Sequence, residues 1–146
     1  MRVVLSAAIM DMCHRGHINL LKELRANGDK VIMVLHDDAS CYRIKGKIPI
    51  QNIKQRKKNL KITGLVDKIY VTKNEDPSDK FEKVLRRYED VIFIRGNDNK
   101  DFPGKWMLKS YGTPIKFIPY TKGVSSSAIR KKLYRKEKKT WKNILR

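Results

Sequence analysis

Val3-Val4-Leu5-Ser6-Ala7-Ala8-Ile9 runs into Met10-Asp11-Met12-Cys13-His14-Arg15-Gly16-His17. The first stretch is short, apolar and β-branched at its start, which predicts a strand buried on both faces, as in a parallel sheet. Beyond the joint, Leu20, Leu21 and Leu24 fall at helical spacing from His17, and Gly28 is a stop signal. His14 and His17 therefore sit where a strand hands over to a helix N-terminus, whose free N–H groups and dipole favour an anion. Gly16 lets a ligand come close to the backbone without a Cβ in the way. A phosphate docked there meets both imidazoles, the outline of a triphosphate site. One alternative makes Cys13, His14 and His17 zinc ligands. Only Cys41 and His36 remain of those residue types, which is thin for a closed site. The other makes the histidines ordinary helix-entry residues.

Composition narrows the class. A chain of 146 residues suits one domain with one core. The net charge is +19, from 34 Lys+Arg against 15 Asp+Glu, which implies a polyanionic substrate or partner, or a lysine-rich bias that favours solubility. Cys13 and Cys41 make no disulfide framework and fit a reducing compartment. Arg2 and the apolar run after it imitate a leader peptide. Cleavage would remove the strand behind the histidines, so the run is read as strand one. No apolar run approaches the ~20 residues of a transmembrane helix. The expectation is a soluble, cytoplasmic protein.

Along the chain, Lys30 to His36 predicts a second buried strand, Asp37 to Ile50 a polar loop, and Gln51 to Ile62 a helix. Lys68 to Val71 is a third strand. Asp76-Pro77-Ser78 opens a helix with Ser78 as candidate cap, and Phe81, Val84, Leu85 and Tyr88 share one face. Val91 to Ile94 is a fourth strand, a short helix follows near Trp106 to Ser110, and Ile115 to Ile118 is a fifth strand. A last helix begins near Ser125. This alternation predicts an α/β fold: a single doubly wound, Rossmann-like, five-stranded parallel sheet with helices on both faces. Residues 1–133 form the expected domain and 134–146 a basic tail, either solvated or able to touch an anionic surface. Ligands in such sheets bind beyond the carboxyl ends of the strands, where strand order reverses. No G-x-G-x-x-G or G-x-x-x-x-G-K-[ST] occurs, which argues against dinucleotide oxidoreductases and P-loop ATPases.

Ala8-Ile9-Met10-Asp11-Met12-Cys13-His14-Arg15-Gly16-His17 resembles the G-x-F-D-x-x-H-x-G-H signature of the cytidylyltransferase family, with the small glycerol-3-phosphate cytidylyltransferases nearest. Ala8 stands where the family has Gly, and Met10 where it has Phe. Tyr120-Thr121-Lys122-Gly123-Val124-Ser125-Ser126-Ser127 is similar to the family's R-x-x-G-I-S-T-S, with Tyr120 in place of Arg. Physically it is a glycine turn opening a helix with hydroxylic first residues, suited to gripping phosphates. Lys45-Gly46-Lys47 with Arg56 is similar to the family's lysine loop and following arginine. Arg95-Gly96-Asn97-Asp98 is like its G-x-D turn. Gly64 stands where the family often has Arg.

The resemblance implies transfer of CMP from CTP to a phosphorylated alcohol with release of pyrophosphate. It assigns His14, His17 and Lys47 to catalysis and Asp11 and Lys45 to the acceptor. Ala8, Ile9, Met10, Gly16, Arg56, Gly96 and Asp98 would line the nucleotide, as would Thr121, Gly123, Val124, Ser125 and Ser126. It further implies Mg²⁺, no dedicated protein metal site, a homodimer and no specific nucleic acid. Rivals are adenylyltransferases acting on a sugar phosphate, pantetheine phosphate or a flavin, a degenerate nucleotide-binding relative, and a nucleic-acid-binding module suggested by charge. Class I aminoacyl-tRNA synthetases share such histidine motifs, but the chain lacks room for their extra domains.

Overall fold

The computed structural model describes residues 1–97 and 99–119. Its strands are β1 (Val3–Ala8), β2 (Lys30–His36), β3 (Lys68–Thr72), β4 (Val91–Gly96) and β5 (Ile115–Ile118). The α-helices between them are α1 (Arg15–Ala26), α2 (Asp38–Lys45), α3 (Ile53–Ile62), α4 (Ser78–Arg87) and α5 (Lys105–Ser110). The strands form one sheet in the order β3-β2-β1-β4-β5, and every neighbouring pair is parallel. The chain moves outward from β1 to β3, crosses back and moves outward again through β4 and β5. Strand order thus reverses between β1 and β4, and the crevice there is where such sheets take ligands.

Period-two alternation sends the side chains of the central strands into two cores. Val3, Leu5, Ile32, Val34 and Phe93 face α4 and α5, where they meet Phe81, Val84 and Leu108. Val4, Val31, Met33, Leu35 and Ile94 face α1 and α3, where they meet Leu21, Leu24 and Leu60. Both faces are covered, which is why the strand sequences are nearly continuous apolar runs. Among the described residues no helix is long and apolar enough to cross a membrane.

The expected loop from Asp37 to Ile50 is in part a helix, α2. Asp37 caps it by accepting the Ser40 N–H at 2.8 Å, and Gly46 ends it in the left-handed conformation. The polar composition hid the helix because only Ser40 and Cys41 are buried, too few to mark an apolar stripe. A second correction concerns Ser78, the first residue of α4 rather than its cap; Asp76 Oδ1 accepts its N–H at 2.9 Å. The helix expected near Ser125 and the 134–146 tail lie outside the described residues, as does Tyr120.

Gly104 precedes α5 with φ +90°, and a Cβ built there would lie 2.6 Å from Phe81 Cε2. The buried Phe81 ring has no room to yield. Gly104→Ala should therefore cost about 2–3 kcal/mol, from left-handed strain plus overlap, read as a lower denaturant midpoint with an unchanged slope.

Candidate active site

A cleft of about 1150 Å³ opens at the carboxyl ends of the strands. From the expected set it gathers Ala8, Ile9, Met10, Asp11, His14, Gly16, His17, Lys45, Lys47 and Gly96 on its walls. Asp98, Thr121, Gly123, Val124, Ser125 and Ser126 lie outside the described residues.

β1 leaves the sheet at Ala8, and the turn that follows is tight. Met10, Met12 and Cys13 have φ values of 57°, 63° and 35°, all in the left-handed region that side chains avoid. Their cost is borne at the joint that aims the histidines. Met10 is buried in the α1–α3 core and anchors the turn.

His14 is the N-cap of α1, and His17 is its third residue. The Gly16 N–H donates to His14 Nδ1 at 3.1 Å, while the His14 N–H donates to His17 Nδ1 at 3.3 Å. This is a capping box built from two imidazoles. The rings stack with centroids 3.8 Å apart and 16° between their planes. Because each Nδ1 accepts, the proton of each neutral ring rests on Nε2, and both rings offer an N–H donor. Burial lowers the pKa of His14. Burial and then the charge of His14 push His17 down to about 4, against an upward pull from Asp11. Both rings are therefore neutral donors at pH 7. Stacked rings with both Nδ1 atoms occupied are poorly arranged to converge on one zinc ion, and among the described residues no three His, Cys, Asp or Glu side chains gather to hold a metal.

The depressed pKa of His17 has a consequence for stability. Between pH 6.5 and about 4 the unfolded chain binds the proton and the folded chain does not. Stability is therefore full above pH 6.5 and falls as pH drops toward 4. At pH 5 the loss should be about 2 kcal/mol. Denaturant titrations at pH 7.5 and pH 5 should show a smaller drop for His17→Gln than for the parent by about that amount.

Two residues of the expected set have structural partners in this fold. Arg56 is fully buried and does not line the cleft. Its guanidinium donates to Ile9 O and His36 O at 2.8 Å, to Gln51 O at 3.1 Å and to Asp38 Oδ1 at 2.8 Å. It ties the ends of β1 and β2 to α2 and the start of α3. Asp11 borders the cleft, but its carboxylate accepts the Ile50 N–H at 2.9 Å and the Gln51 N–H at 3.0 Å. It pins the loop that carries Lys47 to the histidine turn. Cys41 supports the same loop, its thiol donating to Lys47 O at 3.8 Å. Gly64 lies in an exposed left-handed turn after α3, away from the cleft.

Among the cleft residues outside the expected set are His36 and Arg95. Each sits at the carboxyl end of its strand, and that position was itself the available signal.

Residues 8–132 match the family described as cytidylyltransferase-like. The chain belongs to the cytidylyltransferase-like family. This is a nucleotidyltransferase family, and the parallel sheet with its reversal beside β1 is the fold the resemblance implied. The chain is 30% identical over 139 residues to the bifunctional protein HldE of Pseudomonas fluorescens (strain Pf0-1). That match takes in 93% of this chain and 28% of the relative, so the chain spans little more than a quarter of it. A lipopolysaccharide core biosynthesis protein from Thermoplasma volcanium GSS1 superposes with TM-score 0.63 and 25% identity, over 85% of this chain and 99% of that one. A pantothenate synthetase from Thermus thermophilus shares the fold at TM-score 0.54 and 13% identity, over 88% of this chain and 60% of that one.

Proposed function

We propose that this cytidylyltransferase-like chain transfers a nucleotidyl group from a nucleoside triphosphate to the phosphate of a phosphorylated sugar. The observation that carries the reading is the imidazole capping box, which sets two neutral Nε2–H donors at a helix N-terminus beside the β1–β4 crevice. An acceptor phosphate oxygen attacks the α-phosphorus, the bond to the β-phosphate oxygen breaks, and pyrophosphate leaves. The acceptor oxygen is already anionic at pH 7, so no general base is needed. The work is positioning two polyanions and stabilising charge at phosphorus. His14 and His17 donate to the α-phosphate oxygens as charge builds there, and Lys47 neutralises from the loop. Asp11 and Cys41 hold that loop in reach. Mg²⁺ would be held chiefly by the phosphates and water, since among the described residues the cleft offers it only the engaged Asp11 and the exposed Glu23; it would supply further charge neutralisation.

A phosphorylated sugar is favoured as acceptor by the likeness to a lipopolysaccharide core biosynthesis protein. That acceptor class belongs to the adenylyl branch of the resemblance, so ATP becomes the leading donor, and CMP transfer from CTP to a phosphorylated alcohol is the second reading. The test is pyrophosphate release from ATP and from CTP, with Mg²⁺, against panels of phosphorylated sugars and phosphorylated alcohols. Release from ATP with a sugar phosphate is the expected result. Release only from CTP with glycerol 3-phosphate would return the assignment to cytidylyl transfer. No release from any pair, with no nucleotide binding by calorimetry, would refute both.

A further inference from the structure

From Ala39 to Val66 the chain carries eight Lys and Arg and no Asp or Glu. That span holds most of α2, the loop after it and all of α3. Two of its cations are engaged, Arg56 in the buried pair with Asp38 and Arg43 with Glu75. The six lysines make no ion pair with a described residue. Lys54, Lys58 and Lys61 stand exposed at i, i+4 and i+7, one stripe along α3, whose Arg56 and Leu60 are buried.

The same span holds apolar side chains out in water. Every residue from Tyr42 to Ile48 is exposed. Of the eight large apolar side chains exposed among the described residues, four fall within nine positions: Tyr42 at 55%, Ile44 at 39%, Ile48 at 65% and Ile50 at 44%. Lys45 and Lys47 alternate with them. This knuckle is held in shape from behind. Gly46 ends α2, the Cys41 thiol donates to Lys47 O, Pro49 is buried, and Asp11 accepts the Ile50 N–H. A preformed loop loses little freedom when it docks.

We propose that the knuckle and the α3 stripe dock the protein on an anionic lipid surface, with isoleucines in the interfacial layer and lysines at the headgroups. The chemistry selects this occupant. A second copy across a two-fold axis would set the same lysines against themselves. A nucleic-acid strand suits the lysines, but its bases stack on aromatic rings, and the span offers only Tyr42. An anionic bilayer satisfies both kinds of side chain. The isoleucines leave water, while the lysine stems snorkel to the lipid phosphates. Ile44, Lys45 and Lys47 also border the cleft, so docking holds its mouth at the membrane surface. The association is peripheral, since no described helix is long and apolar enough to cross.

The test is sedimentation of the full chain with vesicles of phosphatidylcholine, either alone or with about a third phosphatidylglycerol. The anionic vesicles should carry the protein down, the neutral ones should not, and salt should weaken the binding. Ile48→Ser with Ile50→Ser should weaken it ~10-fold or more, and Lys54→Gln, Lys58→Gln and Lys61→Gln together by a similar factor. Lys83→Gln, Lys105→Gln and Lys109→Gln together remove the same charge from α4 and α5, across the sheet, and should leave binding within about twofold. Equal losses from the two lysine sets would reduce the contact to net charge and overturn the proposal. So would isoleucine variants that bind vesicles like the parent. Single-stranded RNA bound more tightly than anionic vesicles, with the isoleucines immaterial, would hand the surface to nucleic acid. A parent chain that dimerises through these isoleucines and ignores lipid would hand it to a second copy. A parent chain left in solution by anionic vesicles at low salt overturns the proposal without any variant.

Discussion

His14→Ala and His17→Ala are each expected to lower kcat by about 10²–10³, the usual cost of removing one preorganised donor from a charged transition state. The nucleotide KM should change far less, because backbone N–H groups and lysines hold the ground-state phosphates. The same side chains also cap α1, so alanine should cost about 0.5–2 kcal/mol of stability as well. His14→Asn and His17→Gln separate the two effects. Asn is a strong N-cap and Gln serves at the third position of a capping box, so both variants should melt near the parent temperature. Asn ends a bond short of Nε2, so His14→Asn should show the full loss of kcat. The Gln amide nitrogen reaches near the Nε2 position, so His17→Gln should keep part of the rate. Full turnover in the capped variants would sink the catalytic assignment. A zinc site would give the opposite pattern, with bound metal lost and the melting temperature falling on either substitution.

Arg56→Ala should have the largest effect on stability. It would leave Ile9 O, His36 O and Gln51 O without their donor and Asp38 without its cation, all around a fully buried side chain. The expected loss is about 3–5 kcal/mol, and the unfolding midpoint should drop by roughly 10 °C or more. Arg56→Lys should recover little, because one ammonium cannot span carbonyls from two strand ends and a loop. A calorimetric scan within about 2 °C of the parent would refute the role assigned to Arg56.

Much of this architecture was legible from local pattern. The β-branched runs of β1, β2 and β4 announced strands buried on both faces, and the leucines after His17 announced α1. The Asp37 cap and the Gly46 stop would have revealed α2, but its few buried positions gave no apolar period to notice. The structural bonds of Arg56 and Asp11 were hidden for a different reason. Their spacing resembled a ligand set, yet their partners include backbone groups 39 to 47 residues away, brought close only by the assembled sheet. A basic residue in so basic a chain carries no sign of burial. The histidines were read correctly as a pair at a helix start, while the use of each Nδ1 to cap that helix depends on geometry that spacing does not encode.

The buried arginine also alters the field that an incoming anion meets. A parallel sheet ends in carbonyl oxygens at its carboxyl edge, a fringe of partial negative charge where a triphosphate would have to sit. Two of those oxygens, Ile9 O and His36 O, belong to the strand ends next to the crevice, and a guanidinium from behind holds both. The polyanion thus approaches an edge whose repulsive dipoles are already spoken for, and the lysines in front are left to attract it.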